Sequence, residues 1–234
     1  MLSLSQKLSL NTIKNLGKWS PSDEASLKAW WKNATGVSTD GVGVVRWDDQ
    51  SGNNLHFGQT LDPEKPTYAG NTGINAGTLT FNPAGLQNLD CPQITFAQGD
   101  AFTIGIRLDV NNIGGALLAD NSSPGEVMRL TSTTELRLKF NNGTAQNLSL
   151  DSGSFIGTRV IVVTRDSGGL CKLFADGVEQ STTKTDDDSF LIDNFGLRRS
   201  NLNPYDGKLM EVQIYTDLGT ELTNNVYNSL KNIN

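Results

Sequence analysis

The sequence predicts an all-β protein in which two antiparallel sheets form one sandwich. Three observations predict this fold. Strands of alternating apolar and polar residues recur through the second half of the chain, and turn signals separate them about every 8 to 12 residues. The composition is polar and rich in glycine, with 24 Gly in 234 residues and only 19% charged residues. Such a composition suits many short strands joined by tight turns, and we find no alternation of strands with helices.

The bulk numbers limit the classes of function. A chain of 234 residues suits one large β-sandwich, so we expect a single domain preceded by a short arm. The formal net charge of −6 disfavours nucleic acid as a partner. No stretch approaches the roughly 20 apolar residues that cross a bilayer, so no membrane insertion is expected. Cys91 and Cys171 lie beside apolar residues and are interpreted as free thiols rather than a bridge.

Residues 1–18 have a pattern of their own. Leu2, Leu4, Leu8 and Leu10 lie between serines and a lysine, and the segment is too short to bury these side chains by itself. Two interpretations stay open: a first edge strand of the sandwich, or an arm that docks onto a neighbouring subunit. The segment lacks the continuous apolar stretch and the cleavage site of a secretory signal, so export by a signal peptide is not expected.

A helix start is predicted directly after this segment. Residues 20–24 (Ser-Pro-Ser-Asp-Glu) combine an N-cap hydroxyl, a proline in the first turn and acids near the positive end of the helix dipole. We expect a short helix that ends by Gly36. Leu27, Trp30 and Trp31 would then share the face that packs against the sandwich.

The second half of the chain predicts a series of hairpins. Asn141–Gly143 and Asp176–Gly177 supply residues that tolerate the left-handed conformation of tight turns. A final short helix is predicted to begin near Thr220 or Thr223. The strands predicted from alternation are Phe102–Asp109, Leu136–Phe140, Asn147–Leu150, Arg159–Thr164, Leu170–Ala175, Val178–Thr182 and Lys208–Tyr215.

Three motifs carry a family resemblance. They are Trp47–Asn53 (Trp-Asp-Asp-Gln-Ser-Gly-Asn) followed by Gln59, Pro66, Tyr68 and Phe81, the hairpin Leu173–Val178, and Asp206–Tyr215 with Leu222 of the closing helix. In order and spacing they resemble the laminin-G-like branch of the concanavalin-A-like lectin/glucanase superfamily, including bacterial and phage-encoded members. The resemblance covers nearly everything after residue 19. It implies that residues 19–234 form an antiparallel two-sheet jelly-roll sandwich with short N- and C-terminal helices.

The first of these motifs contains polar side chains that suit either a structural corner or a cation site. Asp48, Asp49 and Asn53 can bond neighbouring backbone groups in Asx turns, and we favour this interpretation. Their oxygens also suit Ca²⁺, which stays open as a cofactor although no EF-hand pattern is present. The run Asp186–Asp188 poses the same choice, and there we prefer a solvated loop.

The sequence offers no catalytic set. Glycoside hydrolysis needs two carboxylates about 5 to 9.5 Å apart, and the chain lacks the paired acids that the superfamily's glucanases carry within one strand. His56 is the only histidine and lies beside no G-x-S-x-G elbow, so we interpret it as a packing or surface residue. We therefore predict no enzyme, no catalytic residue and no zinc site.

The leading hypothesis for function is an interaction protein of a phage virion. It rests on the missing catalytic set, the missing signal peptide and the arm at residues 1–18, and the virus assignment comes from the resemblance. On this hypothesis the protein decorates the capsid or is appended to the tail, and the arm docks onto its own subunits or onto other virion proteins. We expect a homo-oligomer located in the phage particle.

The alternative hypothesis is a carbohydrate-binding module that recognises a cell-surface glycan, with or without Ca²⁺. Sugar binding commonly uses an aromatic platform together with a few fixed polar groups. Tyr68, Tyr205 and Trp19 are the candidate platforms, and Asp120 and Asn121 are candidate polar groups in the adjoining loops.

Overall fold

The computed structural model describes residues 19–73, 76–121, 127–141, 143–197 and 201–233, and these form an almost entirely β structure. The predicted arm, with Leu2, Leu4, Leu8 and Leu10, lies outside the described residues. The elements are β1 Leu27–Trp31, β2 Val37–Thr39, β3 Val44–Trp47, β4 Phe57–Gly58, β5 Thr67–Tyr68, β6 Leu79–Phe81, β7 Leu89–Phe96, β8 Phe102–Asn112, β9 Ala116–Ala119, β10 Met128–Leu130, β11 Glu135–Leu138, β12 Gln146–Ser149, β13 Gly157–Arg165, β14 Leu170–Ala175, β15 Val178–Thr185, β16 Phe190–Phe195, β17 Asp206–Tyr215, the helix α1 Thr220–Lys231, and the 3-10 turns Pro21–Asp23, Asp62–Glu64 and Pro83–Gly85.

The strands form two stacked sheets. Sheet A has the order β15-β14-β13-β8-β17-β6-β5, with β1 also paired to β17, and sheet B has the order β12-β11-β10-β9-β16-β7-β4-β3-β2. Every strand pair in the described ranges is antiparallel. Apolar side chains from the inner faces of both sheets form one core. The predicted antiparallel sandwich and its C-terminal helix are confirmed.

The helix α1 packs on the outer face of sheet A. Leu222, Val226 and Leu230 of α1 form a second, smaller apolar cluster with side chains of β13 and β17. The close approach depends on Gly105 in β8, because a Cβ there would lie 2.3 Å from Val226 Cγ1 and 2.9 Å from Leu230 Cδ1. No helix in the described part of the chain is long and apolar enough to cross a bilayer.

The predicted N-terminal helix is wrong beyond its first turn. Residues 21–23 form a 3-10 turn, closed by a hydrogen bond from the Asp23 N–H to the Ser20 carbonyl (2.9 Å). The Asp23 carboxylate accepts the Ser20 N–H (2.8 Å), whereas the Ser20 hydroxyl contacts the Ser22 hydroxyl instead of capping a backbone N–H. The chain then becomes strand β1, paired with β17. Trp30 and Trp31 point to opposite sides of β1, and Trp31 stacks on Phe57 in the core with ring centroids 3.9 Å apart. Pairing with a distant strand therefore overrides the local helix signal.

A buried cation lies between the two sheets. Arg165, the last residue of β13, is fully buried, and its guanidinium carbon lies 5.1 to 5.3 Å from the ring centroids of Phe102, Phe140 and Phe190. Phe102 begins β8 in sheet A, whereas Phe140 follows β11 and Phe190 begins β16 in sheet B. The charge therefore contacts aromatic faces from both sheets, an attraction that strengthens when water is excluded.

Backbone carbonyls accept the N–H groups of the same guanidinium. Arg165 donates to the carbonyl oxygens of Asp100 (2.9 Å) and Asp188 (2.7 Å), with longer bonds to Ala97 (3.3 Å) and Asp186 (3.5 Å). The loop 186–188 folds over the guanidinium to make these contacts. The prediction of a solvated loop is therefore wrong for Asp186, which is only 9% exposed.

Replacing Arg165 tests how much this arrangement stabilises the fold. We expect Arg165→Ala to lower the free energy of unfolding by roughly 3 to 5 kcal/mol, because buried carbonyl oxygens lose their donors and the rings face a cavity. Urea denaturation followed by tryptophan fluorescence measures the change. The matched control is Arg159→Ala, which removes a half-exposed pair with Asp176 (2.9 Å) and a hydrogen bond to the Ser154 carbonyl (2.7 Å) and should cost about 1 to 2 kcal/mol. Equal losses in the two variants would contradict the assignment.

Candidate functional site

Asp49 organises the corner that follows β3. Its Oδ1 accepts hydrogen bonds from the backbone N–H groups of Trp30 (2.9 Å) and Ser51 (2.9 Å). Its Oδ2 accepts from the Leu55 N–H (3.1 Å) and the Ser51 hydroxyl (2.8 Å). Because four donors already face the two oxygens, this carboxylate is a structural acceptor rather than a free metal ligand.

The other two candidates at this corner are also engaged by protein groups. Asp48 Oδ1 accepts from Arg46 Nε at 2.6 Å, and Asn53 Nδ2 donates to the carbonyls of Leu27 (3.3 Å) and Lys28 (3.0 Å). Among the residues that the structure describes, no three His, Cys, Asp or Glu side chains gather as a metal site. The geometry thus favours the corner interpretation of Asp48, Asp49 and Asn53.

Glu211 is a second buried acid whose carboxylate oxygens accept hydrogen bonds from protein donors. Its Oε1 accepts from Trp30 Nε1 (2.8 Å) and Gln213 Nε2 (2.7 Å), and its Oε2 accepts from the Asn33 N–H (3.0 Å). Burial raises the pKa of Glu211, and these three hydrogen bonds oppose the increase. Since all its partners belong to the protein, this carboxylate joins β1 to β17.

A groove of about 350 Å³ opens on sheet B beside β4 and β7. It exists because the two strands pair only at Gly58 and Asp90. Beyond that pair β7 bulges: three of its residues, with Pro92 in the middle, lie opposite the single residue Asp193 of β16. Proline has no N–H for a sheet ladder, which is why strands carry it at bulges and edges. The groove is lined by Val45, Arg46, His56, Phe57, Gly58, Gln59, Thr60, Asp90, Cys91 and Pro92.

A chain of amide groups holds the acid of the groove in place. Asp90 Oδ1 accepts from the side-chain amides of Asn121 (3.0 Å) and Asn194 (2.8 Å). The Asn194 amide also donates to Asn88 Oδ1 (2.9 Å), which accepts from Gln59 Nε2 as well (3.2 Å). Within the described ranges, Asp90 Oδ2 accepts no hydrogen bond from the protein. The network therefore fixes one carboxylate and leaves an acceptor available.

The groove also presents donors. Arg46 has a side chain that is 52% exposed, and it pairs with Asp48 at one wall. His56 Nδ1 accepts the Asp49 N–H (3.1 Å), so the ring's own N–H donor is at Nε2. The same Nδ1 lies 3.2 Å from Asp48 Oδ1. Donors and an acceptor thus face one concave surface.

The predicted polar residues Asp120 and Asn121 lie beside this groove. The Asn121 N–H donates to Asp193 Oδ1 (2.8 Å), and its side chain holds Asp90. Burial raises the pKa of Asp193, the Asn121 bond opposes the increase, and the nearby carboxylates of Asp120 and Asp90 add to it. Asp120 itself is buried. Sequence reasoning found this loop but assigned no binding role to Arg46, His56 or Asp90.

Two of the three predicted aromatic platforms, Tyr205 and Tyr68, lie in or beside sheet A. Tyr205 is fully buried against Phe81 and Phe195, and its hydroxyl donates to the Asp109 carbonyl (3.0 Å), so the prediction of an exposed platform is wrong. Tyr68 is half-buried, and its hydroxyl contacts Asn71 Oδ1. Tyr68 therefore stays a prediction, whereas Tyr205 serves the core.

Trp19 lines a separate, smaller pocket of about 160 Å³. Its indole Nε1 donates to Glu24 Oε1 at 2.7 Å, and the ring packs partly on the apolar cluster under α1. The remaining lining residues are Asn225, Asn228, Ser229 and Asn232 of α1 and its end. This pocket lies on the helix side of the molecule and shares no lining residue with the groove.

Solved structures share this fold. No protein-family model and no curated protein match the sequence. The binding domain of the Paraclostridial mosquitocidal protein 1 is similar, with a TM-score of 0.61 and 16% identity over 91% of this chain and 54% of that one. The ligand-binding domain of botulinum neurotoxin serotype D, in complex with N-acetylneuraminic acid, has a TM-score of 0.61 and 14% identity over 90% and 53%. The chain thus spans about half the length of these toxin domains.

A third structure is matched over nearly its whole length. Domain 4 of AbnA, a GH43 extracellular arabinanase from Geobacillus stearothermophilus, in complex with arabinotriose, has a TM-score of 0.58 and 16% identity over 87% of this chain and 99% of that one. At such identities the likeness shows the fold alone. This chain is a β-sandwich of the kind used by these binding domains.

A substitution at Asp49 distinguishes a corner from a metal site. Asp49→Asn places an NH₂ group against backbone donors, so we expect the free energy of unfolding to fall by roughly 2 to 4 kcal/mol relative to the wild type. The loss, measured by urea denaturation, should be the same in Ca²⁺ as in EDTA. A loss confined to the Ca²⁺ samples would instead identify Asp49 as a metal ligand.

Proposed function

We propose that this chain is a non-catalytic domain that binds a neutral oligosaccharide in the groove beside β4 and β7. The observation that carries the proposal is that Arg46, His56 and Asp90 line one concave surface, and that Asp90 Oδ2 accepts no hydrogen bond from the residues that the structure describes. Support comes from the similar domain 4 of AbnA, whose structure is a complex with arabinotriose.

The chemistry of the groove suits sugar hydroxyls, which donate and accept hydrogen bonds at once. The Arg46 guanidinium supplies donors and the Asp90 carboxylate an acceptor, and hydrogen bonds to charged groups contribute about 1.5 to 3 kcal/mol each. Pro92 and Cys91 add apolar surface. The amide network behind Asp90 fixes its orientation before the ligand arrives, which lowers the entropic cost of binding. A volume of about 350 Å³ admits a short glycan segment.

The charges around the groove favour a neutral ligand. Asp48, Asp90 and Asp193 lie around it together with Arg46, so carboxylates outnumber the guanidinium among the described neighbours. The whole chain also carries a net charge of −6. An acidic sugar would be repelled by this field. A neutral oligosaccharide such as arabinotriose is therefore the first ligand to test, ahead of N-acetylneuraminic acid.

The experiment is a glycan array with the full chain, followed by titration calorimetry with the best neutral ligand. Asp90→Asn keeps the Oδ1 acceptor for the two amides and replaces the free Oδ2 by a donor. We expect Asp90→Asn to raise Kd by about tenfold or more. Arg46→Ala should lower the affinity for the glycan by a similar factor.

Two control variants make this result specific. Asp206→Asn alters a carboxylate that also accepts from two asparagine amides, those of Asn111 and Asn112, but lies away from the groove lining. Trp19→Ala removes the indole of the separate pocket. Both should bind as the wild type does. Loss of binding in Trp19→Ala with full binding in Asp90→Asn would place the glycan elsewhere, and binding of acidic glycans alone would overturn the ligand class.

We further propose, from the sequence, that residues 1–18 dock this domain onto other subunits of a phage virion. The leucines at 2, 4, 8 and 10 give the segment an apolar surface that it cannot bury itself. The virion assignment rests on the sequence resemblance and on the hypothesis of an assembly arm. It is compatible with glycan binding, because a particle-bound domain can hold a host glycan.

Deleting residues 1–18 tests the arm. We expect the full chain to be oligomeric and the chain from Trp19 onward to be a folded monomer, because the leucine side chains supply the contact. Light scattering after gel filtration measures the mass, and circular dichroism confirms the fold. Retention of the oligomer after deletion would refute the arm, and a monomeric full chain would refute docking between copies of this chain.

A further inference from the structure

One buried carboxylate oxygen lacks a donor. Asp186 is only 9% exposed, and its Oδ1 accepts the Asp188 N–H at 3.1 Å. Its Oδ2 is buried and has no hydrogen-bond partner in the part of the chain that the structure describes. Burial raises the pKa of this carboxyl. Buried polar atoms in native proteins are almost always satisfied, so this oxygen is expected to bind a water molecule or an ion.

Two further oxygens face the same place. A Cβ on Gly143 would lie 2.7 Å from Asp188 Oδ2, 2.9 Å from the Phe140 carbonyl oxygen and 3.6 Å from Asp186 Oδ2. The two carboxylate oxygens and the carbonyl, which also accepts the Gly143 N–H (2.9 Å), therefore gather on one side of Gly143. Any side chain at this position would occupy the space between them. The sequence meets this condition with a glycine in the turn after β11.

We propose that Asp186, Asp188 and the Phe140 carbonyl bind a Ca²⁺ ion. Ca²⁺ takes six to eight oxygen ligands at about 2.3 to 2.6 Å and accepts carboxylates, backbone carbonyls and water in irregular geometry. The absence of His and Cys from this group of described residues disfavours zinc. Mg²⁺ demands a near-ideal octahedron and releases water reluctantly, so it fits a turn carbonyl and two loop carboxylates less well.

The local charge balance also favours a cation. Arg165 lies behind the loop and donates to the backbone carbonyls of Asp186 and Asp188, not to their carboxylates. With Asp187 between them, three acidic side chains stand against one guanidinium. A divalent cation would neutralise the remaining charge and satisfy the orphaned oxygen at once. The ion would tie the loop before β16 to the turn after β11.

This site is separate from the proposed glycan groove. Asp188 precedes β16 and Asp193 lies near its end, which places them roughly 16 Å apart at about 3.3 Å per residue. The ion therefore stabilises the sandwich and does not contact the sugar. Failure of either proposal leaves the other intact.

The test measures thermal stability and direct binding with the full chain. After chelation and dialysis, CaCl₂ should raise Tm by about 5 to 10 °C at a concentration of about 100 times Kd. Titration calorimetry should show one Ca²⁺ per chain. Asp188→Asn removes one ligand charge from a half-exposed side chain and should abolish the Tm increase or weaken binding at least tenfold. MgCl₂ at the same concentration should give a much smaller increase.

Two variants locate the ion. Asp187→Asn removes an equal charge from the same loop, but this side chain is exposed and accepts from Gln98 Nε2; it should keep the full Ca²⁺ response. Asp48→Asn at the β3 corner should keep it too. No Ca²⁺-dependent increase in the wild type, or an unchanged response in Asp188→Asn, would overturn the proposal. So would a response lost in Asp48→Asn, because that result would place the ion at the corner.

Discussion

The burial of one positive charge between the sheets constrains much of this structure. The Arg165 guanidinium has no water to solvate it, so aromatic rings and carbonyl oxygens must surround it. That requirement places Phe102 of sheet A against Phe190 of sheet B and bends the loop 186–188 inward. The bend buries the Asp186 carboxyl and brings it near Gly143. One buried guanidinium thus contacts aromatic rings of both sheets and holds the loop 186–188 by its carbonyls.

Local patterns predicted the elements whose partners are close in sequence. The meander β13-β14-β15 and the hairpin β11-β12 follow from alternation and from turn residues, so both could be read directly. The conformation of the segment after Ser20 could not be predicted in this way, because it depends on pairing with β17. The Trp30 indole donates to Glu211, 181 residues away, and no local signal reports that bond. Capping chemistry predicted the first turn correctly, and long-range pairing determined the rest.

The groove was harder to predict than the fold for the same reason. Asp90 and Asn194 lie in β7 and β16, and Asn121 lies just after β9; each alone resembles an ordinary turn residue. The one local signal was Pro92, because a proline within a strand marks a bulge or an edge. Tyr205 was predicted at the surface because it lies in a polar loop. In the structure, Phe81 and Phe195 pack against its ring and bury it.

The packing of α1 gives the molecule two unlike sides. The helix rests on the outer face of sheet A at Gly105, so the end of the described chain, near residue 233, lies across the sandwich from the outer face of sheet B. With sheets about 10 Å apart and a helix layer about 10 Å thick, the separation is on the order of 20 Å. A surface, bead or fusion partner attached behind α1 would therefore leave sheet B facing outward, in an orientation suited to capture from solution.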